Sequence, residues 1–155
     1  RVFFSKRENI SKYKNIIKKE KKYLREITKL KNFVNLWISY KKKQILSLNK
    51  KYGALSAKAF PGRAAILINL LKLNNKNISR IYEKKNSKKI GYFAPNTNIP
   101  IVSDNSLNKI KYNEPILNLA WHINDEIKSY LKLINIKNKV IPILDVKEIK
   151  KTNYQ

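Results

Sequence analysis

IYEKKNSKKIGYFAPNTNIPIV, residues 81–102, is the stretch that decides the fold of this 155-residue chain. Short apolar runs at its two ends, Ile78 to Tyr82 and Ile99 to Val102, predict two strands, because runs of this length bounded by turn residues are typical of buried strands. The connection between them is long and polar, and it contains Gly91 and Pro95. Long ordered loops in compact domains are more often functional than not. We therefore expect this loop to take part in a site.

The residues before this stretch predict a strand–helix–strand unit. Tyr52 to Ala57 is the first strand candidate, and a loop with Pro61 and Gly62 follows it. Ala64 to Leu73 is apolar nearly all round, which predicts a helix fully buried against a sheet. A strand, a Gly-bearing loop, a buried helix and a second strand together make a βαβ unit.

The residues after the stretch continue the alternation of strands and helices. Ser103 or Asp104 is expected to cap a short helix that runs toward Ile110. Further predicted elements are a strand over Pro115–Trp121, a helix over Asn124–Leu133 and a strand over Val140–Leu144. Apolar strands alternating with helices predict an α/β fold, a Rossmann-like parallel sheet of about five strands with flanking helices.

Two helices are predicted before the sheet. Asn9 or Ser11 can cap the first, which would run to about Glu26, and Thr28 can cap the second. In the second helix apolar residues recur at three and four positions, so one face is expected in the core and the lysine run 41–43 outside. The apolar positions are Phe33, Leu36, Trp37, Tyr40, Ile45 and Leu48.

Composition limits the kinds of site that the chain could carry. The chain has no Cys, which excludes disulfides and Cys-based metal sites and is compatible with the cytoplasm. His122 is the single His, so a multi-His metal site is excluded and we expect no metal. No apolar run is long enough to span a bilayer, and we expect no membrane partner. There is neither a Gly-x-Gly-x-x-Gly motif nor a Gly-Lys-Thr phosphate loop, so no dinucleotide is expected.

The charge allows two explanations. Lys and Arg number 35 against 10 Asp and Glu, a net charge of +25, and such a field would attract phosphates or nucleic acid. However, the chain is crowded with Asn and Ile as well as Lys, which indicates the codon usage of an AT-rich genome. Arg, whose planar fork suits phosphate best, is rare. We favour codon usage and expect nucleic acid to bind only non-specifically.

Two segments resemble one known family. They are NSKKIGYFAPNTNIPI, residues 86–101, and LNLAWHINDEI, residues 117–127. Both are similar, in order and spacing, to motifs in the C-terminal domain of S-adenosylmethionine-dependent C-methyltransferases that act on nucleotide-linked deoxysugars. Asn96 stands where that family usually has Gly, and Asn tolerates the left-handed backbone that such a turn needs.

The resemblance implies a domain organisation and a cofactor. Residues 1–8 would be the end of a preceding methyltransferase domain, because Arg1 and Val2 fit the seam after it. Residues 9–50 would form a helical lead-in, and residues 51–155 the Rossmann-like C-terminal domain. S-adenosylmethionine would bind the upstream domain, and this chain alone would hold no cofactor and transfer no methyl group.

Candidate substrate-binding residues follow the predicted strands, where open α/β sheets bind ligands. Arg63, at a helix N-terminus, could hold a phosphate, or it could form an ion pair with Glu83. We expect Arg63, His122 and the loop Tyr92–Asn98 to share one cleft at the carboxyl edge. The predicted substrate-binding residues are Arg63, Ser56, Glu83, Tyr92, Thr97 and Asn98.

His122 is the candidate for a catalytic residue. Its pKa near neutrality would suit a general base. A structural His that bonds the next helix is favoured, because in the resembled family the acid and base residues belong to the preceding domain.

The resemblance predicts a substrate-side domain that packs on a catalytic domain and holds the nucleotide-sugar. Two alternatives remain, a basic nucleic-acid-binding module of the ribosome-associated type and a non-catalytic scaffold domain. Lysines on all faces would support the codon explanation, whereas one concave stripe would support nucleic acid.

Overall fold

The computed structural model describes residues 10–145, and the side chains from residue 14 onward. Residues 1–8, which were predicted to end a preceding domain, lie outside the described residues. The chain divides into two compact units, Arg1–Leu36 and Trp37–Gln155. No helix within the described part is both long and apolar enough to cross a bilayer.

One continuous helix, α1 (Ile10–Tyr52), occupies the residues for which two helices were predicted. The prediction of a break at Thr28 was wrong. The Thr28 hydroxyl donates to the carbonyl oxygen of Leu24 at 3.0 Å, a bond made inside a helix rather than at its start. Neither Gly nor Pro interrupts residues 10–52. A residue suited to capping, such as Thr28, therefore starts a new helix only where the preceding helix has been ended.

The second unit is built on a five-stranded sheet in the order β3-β2-β1-β4-β5, and all four strand pairs are parallel. This confirms the predicted α/β class and the parallel sheet of five strands. The strands are β1 (Leu55–Lys58), β2 (Ile78–Glu83), β3 (Ile101–Ser103), β4 (Ile116–Asn118) and β5 (Val140–Pro142). The two further α-helices of the described unit are α2 (Gly62–Leu70) and α3 (Asn124–Leu133).

The core lies along the central strands. Every residue of β1 and β4 is buried, as expected for strands covered on both faces. A 3-10 helix, Asp104–Lys109, follows β3, and the Ser103 side chain accepts the N–H of Asn105 as its cap. Its position and its cap agree with the sequence prediction.

α2 corrects one expectation. It was predicted to be buried all round, but within it only Ala64 and Ile68 are buried, while Ile66 and Leu70 are exposed. Ala64 and Ile68 are one helical turn apart, so α2 is covered along one side and apolar residues on the other side remain in solvent.

The burial of Lys41 differs from a second expectation. The lysine run 41–43 was predicted to lie outside, yet the Lys41 side chain is fully buried. Its ammonium donates to Gln44 Oε1 at 2.8 Å and to the carbonyl oxygen of Pro142, at the end of β5, at 3.4 Å. These polar acceptors offset part of the cost of burying the charge.

Candidate functional site

The carboxyl ends of the strands meet at one edge of the sheet, because all five strands are parallel. Polar residues collect there. Lys58, Glu83 and Asn118 are the last residues of β1, β2 and β4, and Asp104 comes directly after β3. Open parallel sheets bind ligands at this edge, so it is the candidate site of this fold.

The most unusual feature of the edge is a buried triad of Lys58, Asp104 and Tyr130. The Lys58 ammonium lies 2.8 Å from Asp104 Oδ2, and the Tyr130 hydroxyl donates to the same oxygen at 2.6 Å. Lys58 and Asp104 are almost completely buried, and Tyr130 reaches them from α3. The triad thus ties β1, the start of the 3-10 helix and α3 together beneath the edge.

Burial and hydrogen bonding shift all three pKa values. Burial lowers the pKa of Lys58, which the hydrogen bond to Asp104 and its charge oppose. Burial alone would raise the pKa of Asp104, but the hydrogen bonds from Lys58 and Tyr130 outweigh it and hold that pKa below its usual value. Burial also raises the pKa of Tyr130 to about 12, and its bond to Asp104 adds to the shift. The triad therefore keeps Tyr130 protonated and Asp104 ionised at neutral pH.

A second group of contacts shapes the corner between β1 and α2. The Phe60 N–H donates to Glu83 Oε1 at 2.6 Å, and the Lys89 ammonium lies 3.6 Å from the same oxygen and donates to the Phe60 carbonyl. Ala59, just before, has a φ of 63°, a left-handed backbone that is uncommon for Ala. The ion pair envisaged between Glu83 and Arg63 is not the contact found. Glu83 is held by Phe60 and Lys89 instead.

Arg63 lies in the first turn of α2 and is exposed. Pro61, at the N-cap position, makes no side-chain cap hydrogen bond, so the N–H groups of this turn have no capping side chain there. The corner therefore combines a guanidinium with a helix N-terminus, next to the end of the central strand.

Ser56 lies inside β1, two residues before its carboxyl end. Its N–H donates to Glu114 Oε1 at 2.9 Å. Together with Arg80, Tyr82 and Lys109, Ser56 lines a separate cleft of about 350 Å³. Ser56 is thus placed away from Arg63.

The loop Tyr92–Asn98 forms a hairpin that pairs with the start of β3. The Ile101 N–H donates to the Tyr92 carbonyl at 2.8 Å, and the Ala94 N–H donates to the Ile99 carbonyl at 2.9 Å. Because these residues precede β3 in the chain, the hairpin tip lies toward the amino end of that strand. The loop is therefore not brought to the carboxyl edge with Arg63 and His122.

The polar residues of this hairpin differ in their hydrogen bonds and in their exposure. The Thr97 hydroxyl donates to the Ala94 carbonyl at 2.7 Å and accepts the Ile99 N–H at 3.2 Å, which closes the turn. Asn96 has a φ of 59°, as its substitution for Gly requires. Tyr92 and Asn98 are exposed.

His122 is exposed in a 3-10 helix, Trp121–Ile123, that follows β4. Its ring packs edge-on to Trp121 with centroids 5.6 Å apart. With Asp125, Lys128 and Asp145 it lines a cleft of about 530 Å³. His122 follows β4 and Arg63 follows β1, which are neighbouring strands of the sheet, but Arg63 does not line this cleft.

One protein family matches most of the chain. Residues 3–144 match the family model described as C-methyltransferase C-terminal domain. The chain belongs to this family. No curated protein matches the chain.

In this C-methyltransferase C-terminal domain, sequence reasoning missed the buried triad. Lys58 was assigned to a loop, Asp104 was considered only as a cap, and Tyr130 was not considered. A charged residue at the end of the apolar run Leu55–Ala57 was the one available signal. Its partners lie 46 and 72 positions further along the chain, so spacing could not reveal them.

The domain's stability should depend on acid pH through Asp104. Its pKa is depressed in the folded state, so its contribution is present above the ordinary carboxyl pKa and is lost as pH falls through the lower folded-state value. We expect Asp104→Asn to be less stable than the wild type near neutral pH and to approach it below about pH 4. Urea unfolding at a series of pH values measures this. A stability difference that stays constant down to about pH 2 would contradict it.

Proposed function

We propose that this chain is the substrate-side domain of an S-adenosylmethionine-dependent methyltransferase that resembles the sugar C-methyltransferases. It packs on a catalytic domain of the same polypeptide and holds the nucleotide-sugar. Alone it binds no cofactor. Membership of the C-methyltransferase C-terminal domain family supports the association of this chain with a methyltransferase. The observation that carries the substrate role is the corner between β1 and α2, with Arg63 at the carboxyl edge.

The corner suits a diphosphate for physical reasons. A helix N-terminus attracts anions through its free N–H groups and its dipole, and a guanidinium can hold two phosphate oxygens at once. At Arg63 the two features coincide, and the side chain is exposed. Glu83, the neighbouring carboxylate, is paired with Lys89 at 3.6 Å, which reduces its repulsion of a phosphate.

The same corner does not suit a dinucleotide or S-adenosylmethionine. The residues after β1 are Ala59, Phe60, Pro61 and Gly62, which hold one Gly where phosphate-binding fingerprints have several. In those fingerprints the glycines let the protein backbone approach the bound cofactor closely. The cofactor is therefore assigned to the upstream domain.

Of the other predicted residues, Glu83 belongs to this corner and Ser56 to a neighbouring cleft. Tyr92, Thr97 and Asn98 stand apart on the hairpin. We propose that Tyr92, which is 68% exposed, is available to the rest of the enzyme rather than to the phosphate. His122 is proposed as structural, since it contacts Trp121.

Calorimetric titration of the chain tests the proposal. We expect heat of binding with dTDP or UDP and none with S-adenosylmethionine or NAD. A chain that binds S-adenosylmethionine at micromolar concentration, or that binds neither nucleoside diphosphate, would contradict the substrate role. Polyglutamate, a polyanion without phosphate, serves as the control for attraction by charge alone, because a net charge of +25 attracts any polyanion.

The positive charge supports a weaker alternative, nucleic-acid binding. Within residues 14–145, exposed lysines occur on α1, on α3 and in the connections β2–β3, β3–β4 and α3–β5. They are spread over many elements, which favours codon usage over a dedicated groove. We propose that nucleic acid binds only non-specifically, through counterion release.

A further inference from the structure

Large apolar side chains are exposed along the first part of α1. They lie within residues 14–36 and are 48% to 64% exposed. At 100° per residue all of them except Leu36, which projects on the opposite side, fall in an arc of roughly 140° on the helix surface. We call this set the apolar arc: Ile16, Ile17, Tyr23, Leu24, Ile27 and Leu30.

Local interactions do not account for a stable helix here. Lys14, Lys18 and Lys22 follow one another at four-residue spacing, where like charges repel. Glu26 and Lys29 form an ion pair at 3.2 Å, but both side chains are largely exposed, and such pairs contribute little. Isolated helices are marginal in water, and most helical stability comes from burying an apolar face. The arc therefore indicates a surface that another molecule covers.

The charge of this segment defines what can cover it. Residues 14–36 hold eight basic and two acidic residues. A second copy of the segment would bring two strongly basic surfaces together, which electrostatic repulsion disfavours. The complementary partner is apolar at its centre and net acidic around it.

Two charged residues inside the arc distinguish a protein from a lipid surface. Glu20 and Lys31 project between the apolar positions of the arc by helical geometry, and both are exposed. An acid in the middle of the face that enters an anionic membrane would be repelled and desolvated. A protein surface can pair each of the two charges with an opposite one.

We propose that residues 14–36 of α1 form a docking surface for an acidic amphipathic helix of a protein partner. Tyr23, Ile27 and Leu30 are spaced by four and three residues, the spacing at which two helices interlock their side chains. This surface belongs to the first unit and not to the sheet domain. The inference stands independently of any substrate.

The test uses the whole chain and a synthetic acidic peptide with Leu at heptad positions a and d and Glu at e and g. We expect binding, by fluorescence anisotropy of the labelled peptide, that weakens with salt. Ile27→Gln and Leu30→Gln should each weaken it by roughly tenfold, because each removes a central apolar contact. Ile66→Gln is the matched control, since Ile66 on α2 is 65% exposed and should leave binding unchanged. Circular dichroism verifies that the variants keep their fold.

Three results would overturn the proposal. Peptide binding equally strong in the Gln variants would show attraction by charge alone. A concentration-dependent dimer in sedimentation experiments, lost in Ile27→Gln, would identify a second copy as the occupant. Binding to phosphatidylserine vesicles that Ile27→Gln abolishes would identify a membrane surface.

Discussion

Replacement of Lys58 by Ala is expected to lower the free energy of unfolding by about 3–5 kcal/mol. The substitution leaves Asp104 buried and without the ammonium that lies 2.8 Å from it in the wild type. The Tyr130 hydroxyl remains as a donor, but a single neutral hydrogen bond does not compensate for a buried carboxylate. The loss should appear in urea unfolding as a lower midpoint with an unchanged slope.

Two variants control this prediction. Lys128→Ala breaks an exposed ion pair with Asp125 at 3.1 Å and should change stability by about 0–1 kcal/mol. The double variant Lys58→Met with Asp104→Asn removes both charges and should recover part of the loss. If Lys58→Ala is as stable as Lys128→Ala, the buried triad does not stabilise the fold.

Arg63→Ala, made in the proposed full-length methyltransferase, has the second largest expected effect. Loss of a two-point contact with a phosphate should weaken nucleotide-sugar binding by on the order of 2 kcal/mol, about thirtyfold, and leave the melting temperature unchanged. Arg63 is exposed, so folding should not depend on it. Lys76→Ala, an exposed cation in the turn before β2, is the matched control and should bind normally.

The opposite result for Arg63→Ala would contradict its role in binding substrate. An unchanged KM for the nucleotide-sugar together with a lowered melting temperature would show that Arg63 is architectural. The substrate role of the β1–α2 corner would then be abandoned.

The fold was largely predictable because its signals are local. Short apolar runs bounded by turn residues marked all five strands, and α3 begins and ends at the residues predicted, Asn124 and Leu133. Asn96 adopts the left-handed backbone that its substitution for Gly implied. The predicted break in α1 was wrong, because the Thr28 hydroxyl forms a hydrogen bond inside the helix. No stop signal precedes Thr28, so there is no new helix start for it to cap.

The candidate site was less predictable because it depends on topology. The sequence places Tyr92–Asn98 after β2, but the chain folds that loop back along β3 before the strand begins. Lysine is usually a surface residue. Lys58 and Lys41 are nevertheless buried, and their ammonium groups donate to acceptors that are distant in the sequence. Periodicity reports which face of an element is apolar, and it does not report which distant polar groups meet.

Chemical-shift mapping of the isotope-labelled chain during titration with dTDP is the most direct test of the substrate role. Inorganic diphosphate at the same ionic strength is the reference titration. We predict saturable shifts confined to the amides of the β1–α2 corner, which are those of Ala59, Phe60, Gly62, Arg63 and Ala64, and to those of Glu83 and Lys89. The same local shifts from the reference ion would show that the corner recognises the diphosphate itself, whereas shifts spread evenly over the lysine-rich surface would contradict a nucleotide site at this edge.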